Sequence, residues 1–134
     1  ADISRAFVEG NKFNDEQKKL YSMAVDQINH NYRIIKPGVS FKEFTERSWT
    51  LPDEYYGNRY SVMLHGIGMC DEWPAIRYPT DGGQRNGQFE KNMTITLESY
   101  IGKVGGKEGV KLEQQYLVGE NGLELMSHHP LEDI

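Results

Sequence analysis

The chain has one cysteine in 134 residues, Cys70, so no disulfide can close within it, and a reducing compartment fits. No run of 18 apolar residues occurs, so no membrane partner is expected. No charged-then-apolar leader pattern opens the sequence, and the expected localisation is cytoplasmic. Basic residues are outnumbered 15 to 20 by acids, with no basic run, and the net charge of −5 argues against a nucleic-acid partner. Internal repeats and low-complexity tracts are lacking as well. The length suits a single folded domain, one short enough to bury only about two thirds of its unfolded surface.

What is present alternates between helical and strand patterns. "ADISRAFVEG" opens in strand-like alternation with no preceding turn or cap, so residues 3–8 are expected as a strand entered halfway, in a piece of a longer chain. Asn14, followed three residues later by Gln17 and flanked by Asp15 and Glu16, predicts a capped helix start. Leu20, Met23, Ala24, Ile28 and Tyr32 recur at helical spacing, and Pro37-Gly38 ends the run. Ser40 and Glu43 predict a second capping box and a short helix to about Trp49. Residues 51–59 read as a loop, Tyr60–Leu64 as a short strand, and 79–92 as a surface loop rich in Gly, Asn and Gln.

The most regular part is "MTITLESY" (93–100) and "GVKLEQQYLV" (109–118), joined by a segment with glycines at 102, 105, 106 and 109. These predict a hairpin with a long loop, followed by a further strand in "NGLELMS" (121–127). The whole reads as α+β, or α/β with an antiparallel component. Alternation places Thr94, Thr96 and Glu98 on one face of the first strand, and Lys111, Glu113 and Gln115 on one face of the second. Ile95, Leu97, Val110 and Leu112 take the opposite face, which should meet helices. Whether Glu98 and Glu113 oppose each other depends on register, which the sequence leaves open. If they converge, like charges at close range call for a cation between them. The simpler alternative is a solvated sheet face.

"HGIGMCDEWP" (65–74) sets His65 before a glycine-cushioned turn, then a thiol, two acids and an indole. Taken singly, each residue has an ordinary reading. His65 would be a satisfied structural histidine, Asp71 a turn cap, Trp73 a core residue, and Cys70 a small buried apolar side chain. His128 and His129 would be solvated.

Taken together, Asp2 in "ADISRAF", His65 in "HGIG", Glu98 in "TITLES" and Glu113 in "VKLEQQYLV" resemble the pita-bread metallohydrolase family of methionine aminopeptidase, prolidase, Xaa-Pro aminopeptidase and creatinase. "DISRAFVEG", "KPGVSFKEF" and the closing hairpin extend the resemblance over essentially the whole chain. It implies that residues 1–134 are the C-terminal part of a pita-bread catalytic domain whose N-terminal half is absent. The fold expected is α+β, with an antiparallel sheet backed by helices. It also implies that Asp2, His65, Glu98 and Glu113 ligate metal. His65 and Glu98 would serve one ion, and Asp2 and Glu113 would bridge to a second whose private aspartate lies ahead of Asp2. A carboxylate-rich set with one imidazole suits iron, manganese, cobalt or zinc.

The peptidases of the family carry a second histidine shortly after the HGxG turn, where this chain has "MCDEWP". An ionised acid cannot donate to an oxyanion, but it can take a proton from carbon when a cation stabilises the charge left behind. Trp73, Tyr55, Tyr56 and Tyr60 could face an onium group, a contact worth about 0.5–2 kcal/mol. "HGIGMCDEWP" with "SHHPLED" resembles the dimethylsulfoniopropionate lyase branch of the family. That resemblance implies β-elimination from a small zwitterionic substrate to dimethyl sulfide and acrylate. Asp71 would be the base, Tyr60 and Trp73 the substrate-binding residues, iron the metal, and a homodimer a possible assembly. The alternatives are an Xaa-Pro dipeptidase or aminopeptidase relative, and a non-catalytic pita-bread module or inactive fragment.

Overall fold

A computed structural model describes residues 1–69 and 71–131, with Asn11 described through its backbone only. Cys70 and the last residues of "SHHPLED" therefore lie outside the described residues.

Helix α1 (Asp15–Tyr32) starts where the sequence predicts. The Asn14 side chain accepts from the Gln17 amide at 2.8 Å, and the Gln17 side chain accepts from the Asn14 amide at 3.0 Å. Leu20, Tyr21, Ala24 and Ile28 are buried on its inner face, whereas Tyr32 at the last turn is exposed and donates to the Leu123 carbonyl. Helix α2 (Phe41–Arg47) is capped by Ser40 alone, because Glu43 turns to Arg47 at 2.6 Å instead of reaching back. The stretch expected as a loop at 51–59 contains a single-turn helix, α3 (Asp53–Tyr56), which buries Tyr55.

Five antiparallel strands form one sheet in the order β2-β1-β3-β4-β5. They are β1 (Val62–Gly66), β2 (Ala75–Arg77), β3 (Thr94–Gly102), β4 (Gly109–Val118) and β5 (Leu123–Leu125). The apolar face carries Ile95, Leu97, Ile101, Val110 and Leu112, all buried, and α1 packs across β3 and β4. The expected surface loop at 79–92 is pinned to this core by Phe89. That ring is fully buried, with centroids 5.0 Å from Phe41 and 5.8 Å from Phe44, and its backbone bonds to Gly38 and Val39.

The predicted strand over residues 3–8 does not form. Ser4 makes one antiparallel bridge to Glu113, and the chain then leaves the edge of β4. Arg5 marks the departure. Its guanidinium takes the carbonyls of Ser4 and Glu113 and the Gln114 side chain, and it also holds the His129 and Pro130 carbonyls of the closing segment. The Ser4 and Glu113 carbonyls, already paired with each other's amides, take Arg5 as a second donor, and the same guanidinium ties the departing chain to residues 129–130.

Candidate metal centre

Register decides the site. Glu98 on β3 pairs directly with Glu113 on β4, and one strand away His65 on β1 pairs with Thr96 on β3. His65, Thr96, Glu98 and Glu113 therefore share one face of the sheet. That face is not solvated. His65, Thr96, Glu98 and Glu113 are all at most 4% exposed. Two buried carboxylates placed opposite each other are costly unless positive charge compensates them.

The His65 ring is oriented by its neighbour. Nδ1 lies 2.8 Å from the Gly66 carbonyl, an acceptor only, so Nδ1 carries the hydrogen and Nε2 faces the carboxylates. From Nε2, Glu98 Oε1 is 3.1 Å away, Glu113 Oε1 3.5 Å and Asp2 Oδ2 3.6 Å. Asp2 is brought there by the N-terminal segment. Ser4 pairs with Glu113 through two backbone bonds of 3.2 and 3.1 Å, and the Asp2 amide donates to Gln115 at 3.2 Å.

Both glutamates are held from behind. The Ser4 hydroxyl donates to Glu113 Oε2 at 2.9 Å, and the Lys111 ammonium contacts Glu98 Oε2. The inner oxygens of both are left facing His65. Glu113 Oε1 is buried with no hydrogen-bond partner, an uncommon condition for a carboxylate oxygen. Ligand atoms of Asp2, His65 and Glu113 lie within 4.8 Å of one another. Glu98 falls outside that triad, yet its Oε1 makes the shortest approach to Nε2. The three carboxylates and one imidazole, with one donor atom unsatisfied, fit a hard or borderline divalent cation.

The electrostatics agree. Interaction with Glu113 raises the His65 pKa above the ordinary 6.5, against the opposing effect of burial, and the Gly66 carbonyl and the Glu72 charge add to the rise. Burial pushes Glu113 upward, but His65, Ser4 and Lys111 outweigh it and hold its pKa below the ordinary 4.5. His65 and Glu113 thus stabilise one another's charged forms.

The other predicted residues sit outside this cluster. Asp71 is exposed. Its amide bonds to the Gly68 carbonyl at 2.8 Å, and its Oδ1 accepts from the Trp73 amide at 3.1 Å, so the side chain also caps its turn. Trp73 is not core. It is 54% exposed and packs edge-on against Phe41 at 5.9 Å. Asp71, Glu72, Trp73 and Arg77 are walls of an open cavity of about 550 Å³, and none of the four donors is among its described walls. Tyr60 is half exposed, and its ring already faces a cation, the Lys111 ammonium at 4.2 Å. His128 and His129 are exposed.

The Metallopeptidase family M24 profile matches residues 1–120. The chain belongs to that family. Dimethylsulfoniopropionate lyase DddP of Roseovarius nubinhibens is 35% identical over 98% of this chain and 30% of its own. Xaa-Pro dipeptidase of Pyrococcus horikoshii is 32% identical over 91% of this chain and 34% of its own. Among solved structures, the prolidase from Pyrococcus horikoshii OT3 superposes with a TM-score of 0.81 at 25% identity, covering 98% of this chain and 37% of that one. This M24 chain thus spans about a third of the length of the curated relatives it matches, as a C-terminal portion of the pita-bread fold. Family members are enzymes that use divalent metals, and the cluster at His65 is where this chain's residues could hold one.

Sequence reasoning missed the two residues that hold the glutamates from outside, Ser4 and Lys111. A signal for each was present. Ser4 shares alternation with Asp2, and Lys111 shares a strand face with Glu113.

Proposed function

We propose that this chain supplies the metal-holding part of a carbon–sulfur lyase that cleaves dimethylsulfoniopropionate to dimethyl sulfide and acrylate. The observation that carries the reading is the acidic turn after His65. Asp71 and Glu72 stand exposed in the stretch after the HGxG turn where peptidases of the family carry a second histidine, and lyase relatives match over nearly the whole chain.

Asp2, His65, Glu98 and Glu113 would hold a divalent transition ion; the donor set suits iron, manganese, cobalt or zinc alike, and iron is the one the lyase resemblance implies. Bound there, the ion supplies positive charge that neutralises a substrate carboxylate and stabilises charge on the adjacent carbon. Asp71 takes the proton from that carbon as an ionised base. The electron pair of the C–H bond becomes the new C=C bond, the carbon–sulfur bond breaks, and its electrons leave on sulfur. Dimethyl sulfide departs neutral, acrylate keeps the carboxylate, and the proton rests on Asp71. Trp73, beside Asp71 on the cavity wall, would offer its ring face to the sulfonium, and Tyr60, whose ring covers the Lys111 ammonium, would line the pocket.

A second reading is favoured by a different observation. Xaa-Pro dipeptidase and prolidase relatives cover the same residues, and the His65 cluster would equally suit a hydrolase. Headspace detection of dimethyl sulfide, run beside an assay for proline released from Xaa-Pro dipeptides, separates the two. Dimethyl sulfide without proline supports the lyase. Proline without dimethyl sulfide overturns it in favour of the peptidase.

A further inference from the structure

Lys111 has a part in the site that the four donors do not explain. It lies on β4 two residues before Glu113 and opposite Tyr100, on the same sheet face as the Glu98–Glu113 pair. Its side chain, about one-third exposed, reaches back to Glu98, whose side chain is 3% exposed. The ammonium occupies Glu98 Oε2 and leaves Oε1 toward His65 Nε2 at 3.1 Å. On its outer side the same ammonium faces the Tyr60 ring at 4.2 Å, so an aromatic cover holds the cation against the carboxylate.

We propose that Lys111 is a positioning residue that confines Glu98 to one-oxygen ligation and limits how tightly the site grips its ion. The inference rests on the metal-holding reading of the four donors. Its physical basis is charge and geometry. Three carboxylates, one ammonium and one divalent ion balance to zero when His65 is neutral. Removing the ammonium leaves the occupied site with one excess negative charge and frees the second oxygen of Glu98, and both changes strengthen attraction for the ion. Even with the full screening of water, a unit charge a few ångströms from a divalent ion changes affinity by about tenfold, so that is the least effect expected at this buried face.

The test is titration of the metal-free protein with Mn²⁺ alone, by calorimetry, for the wild type, Lys111→Met, Lys111→Gln and Lys111→Arg. The electron paramagnetic resonance spectrum of bound Mn²⁺ is recorded for each. Lys111→Met keeps the apolar stem, and Lys111→Gln decides the matter if the methionine variant fails to fold. The expected result is Mn²⁺ binding at least about tenfold tighter in the neutral variants, with an altered spectrum. Lys111→Arg, which keeps the charge, should restore the wild-type affinity and spectrum. Neutral variants that bind Mn²⁺ as the wild type does, or more weakly, overturn the role of Lys111 while leaving the metal site standing. A wild type that binds no Mn²⁺ overturns the metal reading, and this inference with it.

Discussion

Replacing Glu113 by glutamine isolates its charge from its shape. The substituted side chain has nearly the same volume, and its amide oxygen can still accept from the Ser4 hydroxyl, so no cavity opens and Ser4 keeps its acceptor, while the new NH2 takes the inner position facing His65. What is lost is a charge 3.5 Å from His65 Nε2 and an anionic oxygen that is buried without a partner. In the metal-free protein the loss of attraction to His65 is offset by relief of repulsion from Glu98, directly opposite, and from Asp2. The net stability change is then about 1 kcal/mol, a shift of roughly 3–6 °C in Tm for a domain of this size. The cost to metal binding is much larger. Loss of a residue that merely supports a ligand lowers metal affinity by about 10–100-fold, and loss of a ligand's charge should cost at least about 100-fold, or about 2.7 kcal/mol. Calorimetric titration with Mn²⁺ and metal content by mass spectrometry measure the second quantity, and thermal unfolding in chelator the first. The reasoning is refuted if Glu113→Gln binds Mn²⁺ within about threefold of wild type, or if the apo protein collapses while metal affinity survives.

The remaining predictions follow the same geometry. Because His65 titrates above 6.5 in the metal-free protein, an ion must displace its proton, so metal affinity should rise with pH until that raised pKa is passed. For the apo fold, the raised His65 pKa contributes stability that is lost as pH climbs through its folded value, and the lowered Glu113 pKa contributes stability that is lost as pH falls below 4.5. Unfolding and Mn²⁺ titrations run from well below pH 4.5 to well above pH 6.5 check both signs. Asp71→Ala should lower dimethyl sulfide release by at least about 100-fold, the scale of a lost general base, while Mn²⁺ content stays at the wild-type level. Leu97→Ala, at a fully buried position, should cost about 2–5 kcal/mol of stability in denaturant unfolding. Gly66→Ala should also lower the midpoint of denaturant unfolding, because a Cβ there would collide with the Trp73 carbonyl and push apart the β1–β2 pair that carries His65.

Several features were legible in the sequence because the physics behind them is local. Asn14 with Gln17 sets the start of α1 through two hydrogen bonds spanning three residues. Strict alternation over 109–118 fixes which β4 side chains share a face, and that strand has the predicted bounds. Register was not legible, since the glycine-bearing loop between β3 and β4 permits more than one pairing. The Glu98–Glu113 juxtaposition emerges from pairing along nine residues of β3. The N-terminal segment was misjudged as a strand because alternation in Ile3–Val8 carries no sign that pairing stops at Ser4, after which Arg5 turns to the closing segment. Phe89 was hidden in a polar loop because burial of one ring by Phe41 and Phe44 has no periodic signature. The buried character of the carboxylate face was equally invisible. Thr-x-Thr-x-Glu alternates whether the face is wet or dry, and only the assembled sheet excludes water from it.

Convergence of Asp2, His65, Glu98 and Glu113 on one divalent ion is tested most directly by anomalous diffraction from crystals loaded with Mn²⁺ or Fe²⁺. A peak at the absorption edge of the metal, bounded by His65 Nε2, Asp2 and the inner oxygens of the two glutamates, is the predicted result. An empty position there under saturating metal, with the carboxylates turned from one another, contradicts it.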